Sequence, residues 1–196
     1  MVKSLDESLM QHALNEAWKY QGLTFPNPAV GAVVSLEDGQ IVGIGAHQKA
    51  GFPHAEVLAL KDAYRRLSGD ERIDLLHTSD ELHTFLTHHH ANLFHNLSLH
   101  VSLEPCHHYG KTPPCSQLIH TLGIKRIVIG SCDSSAKAQG GGEFLRKAGK
   151  EVIFGCLQKA CDELLTPFTC KENNRPFVFF KLALSANGVA TGGTIS

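Results

Sequence analysis

Apolar and polar residues alternate in the stretch that ends at Glu104 and Cys106, Leu97-Ser98-Leu99-His100-Val101-Ser102-Leu103-Glu104-Pro105-Cys106. The alternation predicts a strand over 97–103, which delivers Glu104 and Cys106 at its carboxyl end. Further along, Cys115 opens a short predicted helix, 115–122, which Gly123 closes. This strand, loop and helix organise the rest of the chain, because they bring two thiols to one place.

Predicted helices and strands alternate on both sides of this stretch. Ser4 and Glu7 form a capping-box pattern that opens the first helix. Asp38-Gly39 is a hairpin turn signal. The other predicted strands are 30–36, 40–46, 126–130, 152–154 and 177–184; the other helices run from Pro53 to about Leu67, from Ser79, and over 143–148 and 156–165, with a linker over 166–176. The alternation predicts an α/β fold with a sheet covered by helices on both faces.

The composition is that of a globular protein, and it limits the partners and the compartment that the chain can be predicted to have. The chain has 196 residues, of which 42% are apolar and 19% charged, and its formal net charge is -1. No long basic run occurs, which argues against a large nucleic-acid surface, and no apolar run approaches the ~20 residues of a membrane span. The first residues lack a signal-peptide pattern, so the cytoplasm is the predicted compartment. The six cysteines are then predicted to be thiols or metal ligands.

A second stretch, His54-Ala55-Glu56, completes a pattern for zinc chemistry. His54, Cys106 and Cys115 supply three ligands, the number that a catalytic zinc takes from protein while one position stays open for water. Bound water then has a pKa of about 7. Glu56 is predicted to move a proton from this water to a departing amine, as in zinc deaminases. In the alternative, His54 only begins a helix and the cysteines are small core residues. His54, Glu56, Pro105-Cys106 and Cys115 would then match the zinc pattern by coincidence.

The twelve residues 104–115, Glu-Pro-Cys-His-His-Tyr-Gly-Lys-Thr-Pro-Pro-Cys, resemble the deaminase domain of the bifunctional riboflavin-biosynthesis proteins. These proteins join a diaminohydroxyphosphoribosylaminopyrimidine deaminase to a 5-amino-6-(5-phosphoribosylamino)uracil reductase. Residues 27–33, 45–47 and 54–56 resemble the same family in the same order, and the match extends to about residue 170. The resemblance implies a three-layer cytidine-deaminase-like fold with a mixed central sheet of about five strands. It also implies one Zn²⁺ per chain.

The activity that the resemblance implies is hydrolytic deamination of 2,5-diamino-6-ribosylamino-4(3H)-pyrimidinone 5′-phosphate, which yields the aminouracil and ammonia. Asn27 would hold the pyrimidine through its amide. The backbone of Ala55 would face the reacting edge of the ring, and His47 would help to bind the ribose-phosphate end. His108, Lys111 and Thr112 would also contact the substrate, with Lys111 as a charge for the phosphate.

The chain departs from the family after the strand at 126–130. The family has Asp-Pro-Asn-Pro there, whereas this chain has Asp133-Ser134-Ser135-Ala136. Asp133 is predicted to contribute to the substrate site and Ser135 to replace the asparagine. Because this loop approaches the ribose-phosphate in the family, the departure leaves open a deaminase of another small base, nucleoside or nucleotide. A catalytically silent zinc-stabilised scaffold is the third alternative, although it leaves Glu56 without a role.

Two further departures concern the domain organisation. The span between Glu56 and Cys106 is about twice the family length, which predicts a histidine-rich helical insertion at about 68–96, here called the inserted segment. A surface helix that caps an oligomer interface or a neighbouring domain is the favoured interpretation of it, and a second metal site at His83 and His90 is the alternative. The predicted deaminase domain covers 1–170. Residues 171–196 are predicted to be a linker and the start of a reductase domain, so no NADP is expected for this chain, and the resemblance implies a homodimer or tetramer.

Overall fold

The computed structural model describes residues 3–109, 113–133 and 140–180. Within these ranges the chain forms six α-helices, five strands and one 3₁₀ helix at Glu71–Leu75. The helices are α1 (Leu5–Trp18), α2 (Ala55–Ser68), α3 (Ser79–His89), α4 (Cys115–Thr121), α5 (Gly141–Lys147) and α6 (Gln158–Glu172). The strands are β1 (Gly31–Ser35), β2 (Ile41–Ala46), β3 (Ser98–Leu103), β4 (Arg126–Ser131) and β5 (Glu151–Phe154).

The five strands form one mixed sheet in the order β2-β1-β3-β4-β5. β1 is antiparallel to both β2 and β3, whereas β3, β4 and β5 are parallel. The register pairs Gly31, at the start of β1, with Ala46, at the end of β2. The start of β1 and the carboxyl ends of β2, β3 and β4 therefore lie at the same edge of the sheet. This edge is where ligands bind in sheets of this kind.

Helices cover both faces of the sheet, which confirms the predicted three-layer architecture. α1 and α6 pack on one face, around Met10, Leu14, Val33 and Leu164. α2, α3, α4 and α5 pack on the other face, in a larger cluster of buried and mostly aliphatic side chains. Among the described residues, no helix combines the length and the apolar character that a membrane crossing needs.

The predicted boundaries differ from the structure at three places. α2 begins at Ala55, with His54 as its N-cap, so Pro53 precedes the helix. The predicted linker at 166–176 is wrong for its first part, because α6 continues to Glu172 with Pro167 inside it. Leu164 and Leu165, which are buried just before the proline, hold this turn of α6 against the protein. Residues 177–180 are neither helix nor strand, and the rest of the strand predicted at 177–184 lies outside the described residues.

The inserted segment packs on the main core. It contributes the 3₁₀ helix and α3, and the side chains of Ile73, Leu82, Leu86 and Phe94 are all 0% exposed. A capping box fixes the start of α3, since Thr78 Oγ1 accepts a hydrogen bond from Glu81 N at 3.3 Å. The apolar face of α3 is therefore covered by its own chain.

A half-buried ion pair ties α1 to the sheet at the end opposite the edge described above. The Arg126 guanidinium donates to both Asp6 carboxylate oxygens, at 2.8 and 2.7 Å. His100, which is 0% exposed, lies with its Nε2 2.9 Å from Asp6 Oδ1. Since this oxygen only accepts, Nε2 carries the proton. The Arg126 hydrogen bonds hold the pKa of Asp6 at about 2, against the opposing effect of burial.

We expect this ion pair to shape the acid limb of the stability curve. The pKa of Asp6 is 3.8 without these partners and about 2 in the folded protein. Its contribution is therefore fully present above pH 4 and is lost as the pH falls towards 2, and with allowance for solvent screening it amounts to about 1 kcal/mol. Asp6→Asn should lower the free energy of unfolding at neutral pH and weaken its dependence on pH between 4 and 2. Urea titrations across this range measure both effects. Asp38→Asn, at an exposed turn, is the control. The assignment would be contradicted if the free energy of unfolding fell equally between pH 4 and 2 in Asp6→Asn and in Asp38→Asn.

Candidate metal centre and active-site cavity

His54, Cys106 and Cys115 meet at the edge of the sheet described above. His54 is the N-cap of α2, where its backbone is extended. Cys106 follows the end of β3, and Cys115 is the first residue of α4. The backbone N–H of Cys115 donates to Cys106 Sγ at 3.4 Å, and that of Ser116 donates to the Cys106 carbonyl oxygen at 3.2 Å, so the start of α4 holds Cys106 in place. Each residue is fixed by the end of a regular element, which makes the cluster rigid.

The distances within the cluster suit a tetrahedral ion. His54 Nδ1 lies 3.8 Å from Cys106 Sγ and 3.4 Å from Cys115 Sγ. Bonds of about 2.0 Å to nitrogen and 2.3 Å to sulfur place the ligand atoms of a tetrahedral zinc site roughly 3.5–3.8 Å apart. All three ligand atoms lie within 4.8 Å of one another, and no other group of three or more such residues occurs in the described part of the chain. Two sulfurs and one imidazole are a donor set that selects zinc.

The ionisation of the Cys106 thiol favours binding of a cation at this cluster. A hydrogen bond with Cys115 lowers the pKa of Cys106 to about 4, and His54 acts in the same direction. The same hydrogen bond, together with burial, raises the pKa of Cys115. Burial by itself would lower the pKa of His54, but Cys106 and the charge of Glu56 raise it to about 9. A metal ion would therefore displace protons from His54 and Cys115 when it binds.

Glu56 lies beside this cluster and is not one of its ligands. It occupies the first turn of α2, two residues after His54, and is 4% exposed. Burial raises the pKa of Glu56 to about 7, against the opposing effect of His54. A carboxyl group with this pKa can both accept and release a proton at neutral pH.

Asn27 and His47 form a fixed pair beside the metal cluster, where the ring centroids of His47 and His54 lie 5.6 Å apart. His47 Nδ1 lies 3.1 Å from the carbonyl oxygen of Pro53, and His47 Nε2 lies 3.1 Å from Asn27 Nδ2. The carbonyl only accepts, so Nδ1 carries the proton and Nε2 accepts from the Asn27 amide. Burial lowers the pKa of His47 and so favours this neutral tautomer. Both ring nitrogens of His47 are thus engaged with protein.

A cavity of about 470 Å³ opens in front of the metal cluster. The predicted site residues that line it are His54, Cys106, Glu56, Asn27, His47, Ala55, His108 and Asp133. Cys115 lies behind Cys106 and is 1% exposed. Lys111, Thr112 and Ser135 lie outside the described residues, so their roles stay predictions.

Ten further residues line the cavity without having been predicted as site residues. They include Phe52, Thr78, Ser79, Asp80 and Phe168. Phe168 reaches the cavity because α6 continues past Pro167, inside the stretch 166–176 that was predicted to be a linker. Thr78, Ser79 and Asp80 reach it because the inserted segment folds back over the site, and no local sequence signal indicates this.

Glu104 is a buried carboxylate that holds the loops around the cavity. Its Oε1 accepts hydrogen bonds from Gly140 N at 3.1 Å and from Gly142 N at 2.9 Å, and its Oε2 accepts one from Asp133 N at 3.2 Å. Glu104 is 8% exposed. It thereby links the end of β3 to the end of the β4 loop and to the start of α5. The sequence pattern contained Glu104 but assigned no role to it.

Glu104→Ala should destabilise the protein more than removal of an exposed carboxylate. It leaves three backbone N–H groups without their acceptor, two of them buried with Glu104, and each such loss costs about 1–3 kcal/mol. We expect a loss of about 2–4 kcal/mol in the free energy of unfolding, measured by urea titration. Glu143→Ala, on the exposed face of α5, should cost well under about 1 kcal/mol. Equal effects of the two substitutions would contradict the role given to Glu104.

The alternative of a second metal site at His83 and His90 finds no support in the described residues. His83 is buried on α3 and its Nε2 has no hydrogen-bond partner, whereas His90 is half-buried at the end of that helix. Neither belongs to the one group of ligating residues found there. His107, to which no role was assigned, packs structurally: its Nδ1 lies 2.9 Å from Ser116 Oγ and its ring stacks on Phe144.

Comparison with known proteins agrees with this site. The family model described as the cytidine and deoxycytidylate deaminase zinc-binding region matches residues 3–131. The chain is 38% identical over 190 residues to the riboflavin biosynthesis protein RibD of Aquifex aeolicus, which covers 96% of this chain and 46% of the relative. It is 35% identical over 188 residues to the chloroplastic riboflavin biosynthesis protein PYRD of Zea mays. This alignment covers 95% of this chain and 41% of the relative.

A solved structure gives the same result. The diaminohydroxyphosphoribosylaminopyrimidine deaminase/5-amino-6-(5-phosphoribosylamino)uracil reductase of Thermotoga maritima superposes with a TM-score of 0.72 at 37% identity, over 88% of this chain and 43% of that one. The chain thus spans less than half the length of these three relatives. The predicted resemblance to the deaminase part of riboflavin-biosynthesis proteins is confirmed. The chain belongs to the cytidine and deoxycytidylate deaminase zinc-binding family.

Proposed function

We propose that this chain is a zinc-dependent hydrolytic deaminase of the aminopyrimidine ribosyl phosphate that precedes riboflavin. One observation carries the proposal: a buried carboxyl group, Glu56, lies next to a three-ligand cluster that opens into a cavity. A structural zinc site is normally closed by a fourth protein ligand. Glu56 would have no function in such a site, which argues against the scaffold alternative.

His54, Cys106 and Cys115 would hold the zinc ion. Zinc, when bound, lowers the pKa of water to about 7 and so supplies hydroxide at neutral pH. Glu56 takes up the proton of the attacking water and donates it to the amino group that leaves, so water and the amidine-like ring carbon yield a carbonyl and ammonia. Its pKa of about 7 suits both transfers. Burial of the carboxyl group excludes competing solvent protons.

The pair of Asn27 and His47 would orient the pyrimidine. Both ring nitrogens of His47 hydrogen-bond to protein groups, Nδ1 to the Pro53 carbonyl and Nε2 to Asn27. The 3.1 Å contact between Nε2 and Asn27 Nδ2 therefore fixes the Asn27 amide. Asn27 then presents its remaining amide atoms to the ring, and Ala55 lies against the reacting edge. His108, Asp133, Ser135, Lys111 and Thr112 are assigned to the ribosyl phosphate end. This orienting role replaces a direct contact between His47 and the ribose-phosphate.

The substrate that we propose is 2,5-diamino-6-ribosylamino-4(3H)-pyrimidinone 5′-phosphate. The similarity to the Thermotoga enzyme and to the riboflavin-biosynthesis proteins supports this choice. The test is ammonia release by purified protein, with zinc quantified on the same sample. Turnover with about one zinc per chain is the expected result. Full zinc content without ammonia would contradict the substrate, and other aminated pyrimidines and purines would then be screened.

We also propose that the chain works in the cytoplasm as a homodimer or homotetramer. The family resemblance supports the assembly, and six cysteines that form no disulfide agree with a cytoplasmic setting. Light scattering after gel filtration measures the assembly directly. A single species with the mass of one chain, 21.3 kDa, at micromolar concentration would contradict it.

A further inference from the structure

The inserted segment contributes a wall of the active-site cavity. Thr78, Ser79 and Asp80, at the start of α3, line the same cavity as His54 and Glu56. The wall is held from two sides. Leu82 and Leu86, which follow on α3, are 0% exposed in the main core. Glu81 Oε2 accepts from Thr78 N at 3.0 Å and from His77 N at 3.1 Å, which fixes the backbone before the helix.

Asp80 is the cavity carboxylate that is left available for a ligand. Among the described residues its side chain takes part in no hydrogen bond and no ion pair, although its charge acts on the neighbouring His83. The other acidic residues of the cavity are engaged already: Glu104 accepts three backbone N–H groups, Asp133 has an interaction of its own, and Glu56 lies in the first turn of α2 beside the metal ligand His54. Glu81, the next acidic residue of α3, is used by the capping box.

The chemistry of a carboxylate limits what Asp80 can bind. An ionised carboxylate only accepts hydrogen bonds, so its partner must present N–H or O–H groups. It also repels an anion, so the phosphate of the substrate would lie away from this wall. Amino groups of the pyrimidine and hydroxyl groups of the ribose are the donors that the proposed substrate offers. Hydrogen bonds to charged groups are stronger than those between neutral groups.

We propose that Asp80, supplied by the inserted segment, is a substrate-binding residue that accepts hydrogen bonds from the uncharged donors of the aminopyrimidine riboside. The inference rests on the proposed function. It assigns to the inserted segment a part in substrate selection, in addition to its part in the core. Because Asp80 does not lie among the reacting groups, it would act on binding and leave the chemical step nearly unchanged.

The test separates binding from turnover. Zinc-loaded protein with Asp80→Asn should show a KM about tenfold higher than wild type, with kcat within about twofold. Glu163→Gln, an exposed carboxylate on α6, is the matched control and should change neither constant. Asp80→Ser removes the same charge and keeps a residue that suits the first turn of a helix, so it replaces Asp80→Asn if that variant folds poorly. An unchanged KM in both Asp80 variants would overturn the proposal.

Two substrates distinguish the donors. The aminopyrimidine ribosyl phosphate and the same pyrimidine without its ribosyl phosphate are compared in each variant. An effect on both compounds assigns the contact to a ring amino group, and an effect on the ribosyl compound alone assigns it to a ribose hydroxyl. No effect on either would overturn the contact.

A binding measurement separates this inference from the proposed function. Calorimetric Kd values for the ribosyl phosphate are measured with Glu56→Gln and with Glu56→Gln combined with Asp80→Asn, so no turnover is needed. A Kd about tenfold weaker in the double variant supports the Asp80 contact even if wild type releases no ammonia. Equal Kd values would reject the contact while leaving the deaminase assignment intact. No binding by the Glu56→Gln variant itself would reject both.

Discussion

Glu56→Gln should abolish deamination while the protein keeps its fold and its zinc. General acid–base catalysis contributes about 10²–10⁴-fold to a rate, and the amide of the variant can neither accept nor release the proton. Shape and burial are nearly unchanged by the substitution. Because burial raises the pKa of Glu56 to about 7, the carboxyl group is costly to ionise there, and the neutral amide should leave thermal stability unchanged or slightly higher. Ammonia release, zinc per chain and the melting temperature are the three measurements.

The pattern across these measurements identifies the role of Glu56. Lost turnover with zinc and fold intact supports the proton shuttle. Lost zinc or unfolding would instead show that the carboxylate has a structural role, and more than about a tenth of the wild-type rate would contradict the mechanism. Glu143→Gln, on the exposed face of α5, is the control for handling and should behave as wild type.

Cys115→Ser should remove zinc and activity together. Cys115 is 1% exposed, and its Sγ lies 3.4 Å from His54 Nδ1 and close to Cys106. A serine hydroxyl at this position is a far weaker zinc ligand than a thiolate, so the site keeps two good ligands of three. We expect zinc to fall from about one per chain to a small fraction, and ammonia release to fall below detection. Metal analysis after gel filtration and the ammonia assay measure these losses.

A second thiol shows whether the effect is specific. Cys156→Ser changes a half-buried cysteine in the loop before α6, away from the cavity, and should keep both zinc and turnover. Removal of zinc from wild type by a chelator, followed by zinc return, should abolish and restore activity. Stoichiometric zinc in an active Cys115→Ser protein would contradict the ligand assignment.

The meeting of His54, Cys106 and Cys115 beside Glu56 could be predicted because each position depends on a short local pattern. His54 and Glu56 flank the first residue of one helix, Cys106 follows a strand, and Cys115 begins a helix. Strand ends and helix starts are readable from sequence, and the sheet order then brings them to one edge. The alternation of elements likewise predicted the layers, although the boundaries of α2 and α6 were displaced.

The residues that sequence reasoning missed depend on contacts far apart in the chain. Phe168 was missed because Pro167 indicated a break, whereas burial of Leu164 and Leu165 keeps α6 against the protein up to the proline. Asp80 was missed because nothing near it in the sequence indicates that α3 lies over the cavity. Glu104 was missed as an anchor because its three partners are backbone groups 29 to 38 residues away.

The way the inserted segment is packed has a consequence for amide hydrogen exchange. An appended surface helix would open by itself, and its amides would exchange far faster than those of the sheet. Ile73, Leu82, Leu86 and Phe94 instead share the core with α2 and β3, so opening α3 exposes side chains that the central layer needs. The amides of α3 should therefore exchange through the same slow event as those of β3. Excision of the segment would remove these four side chains and leave a hole in the core.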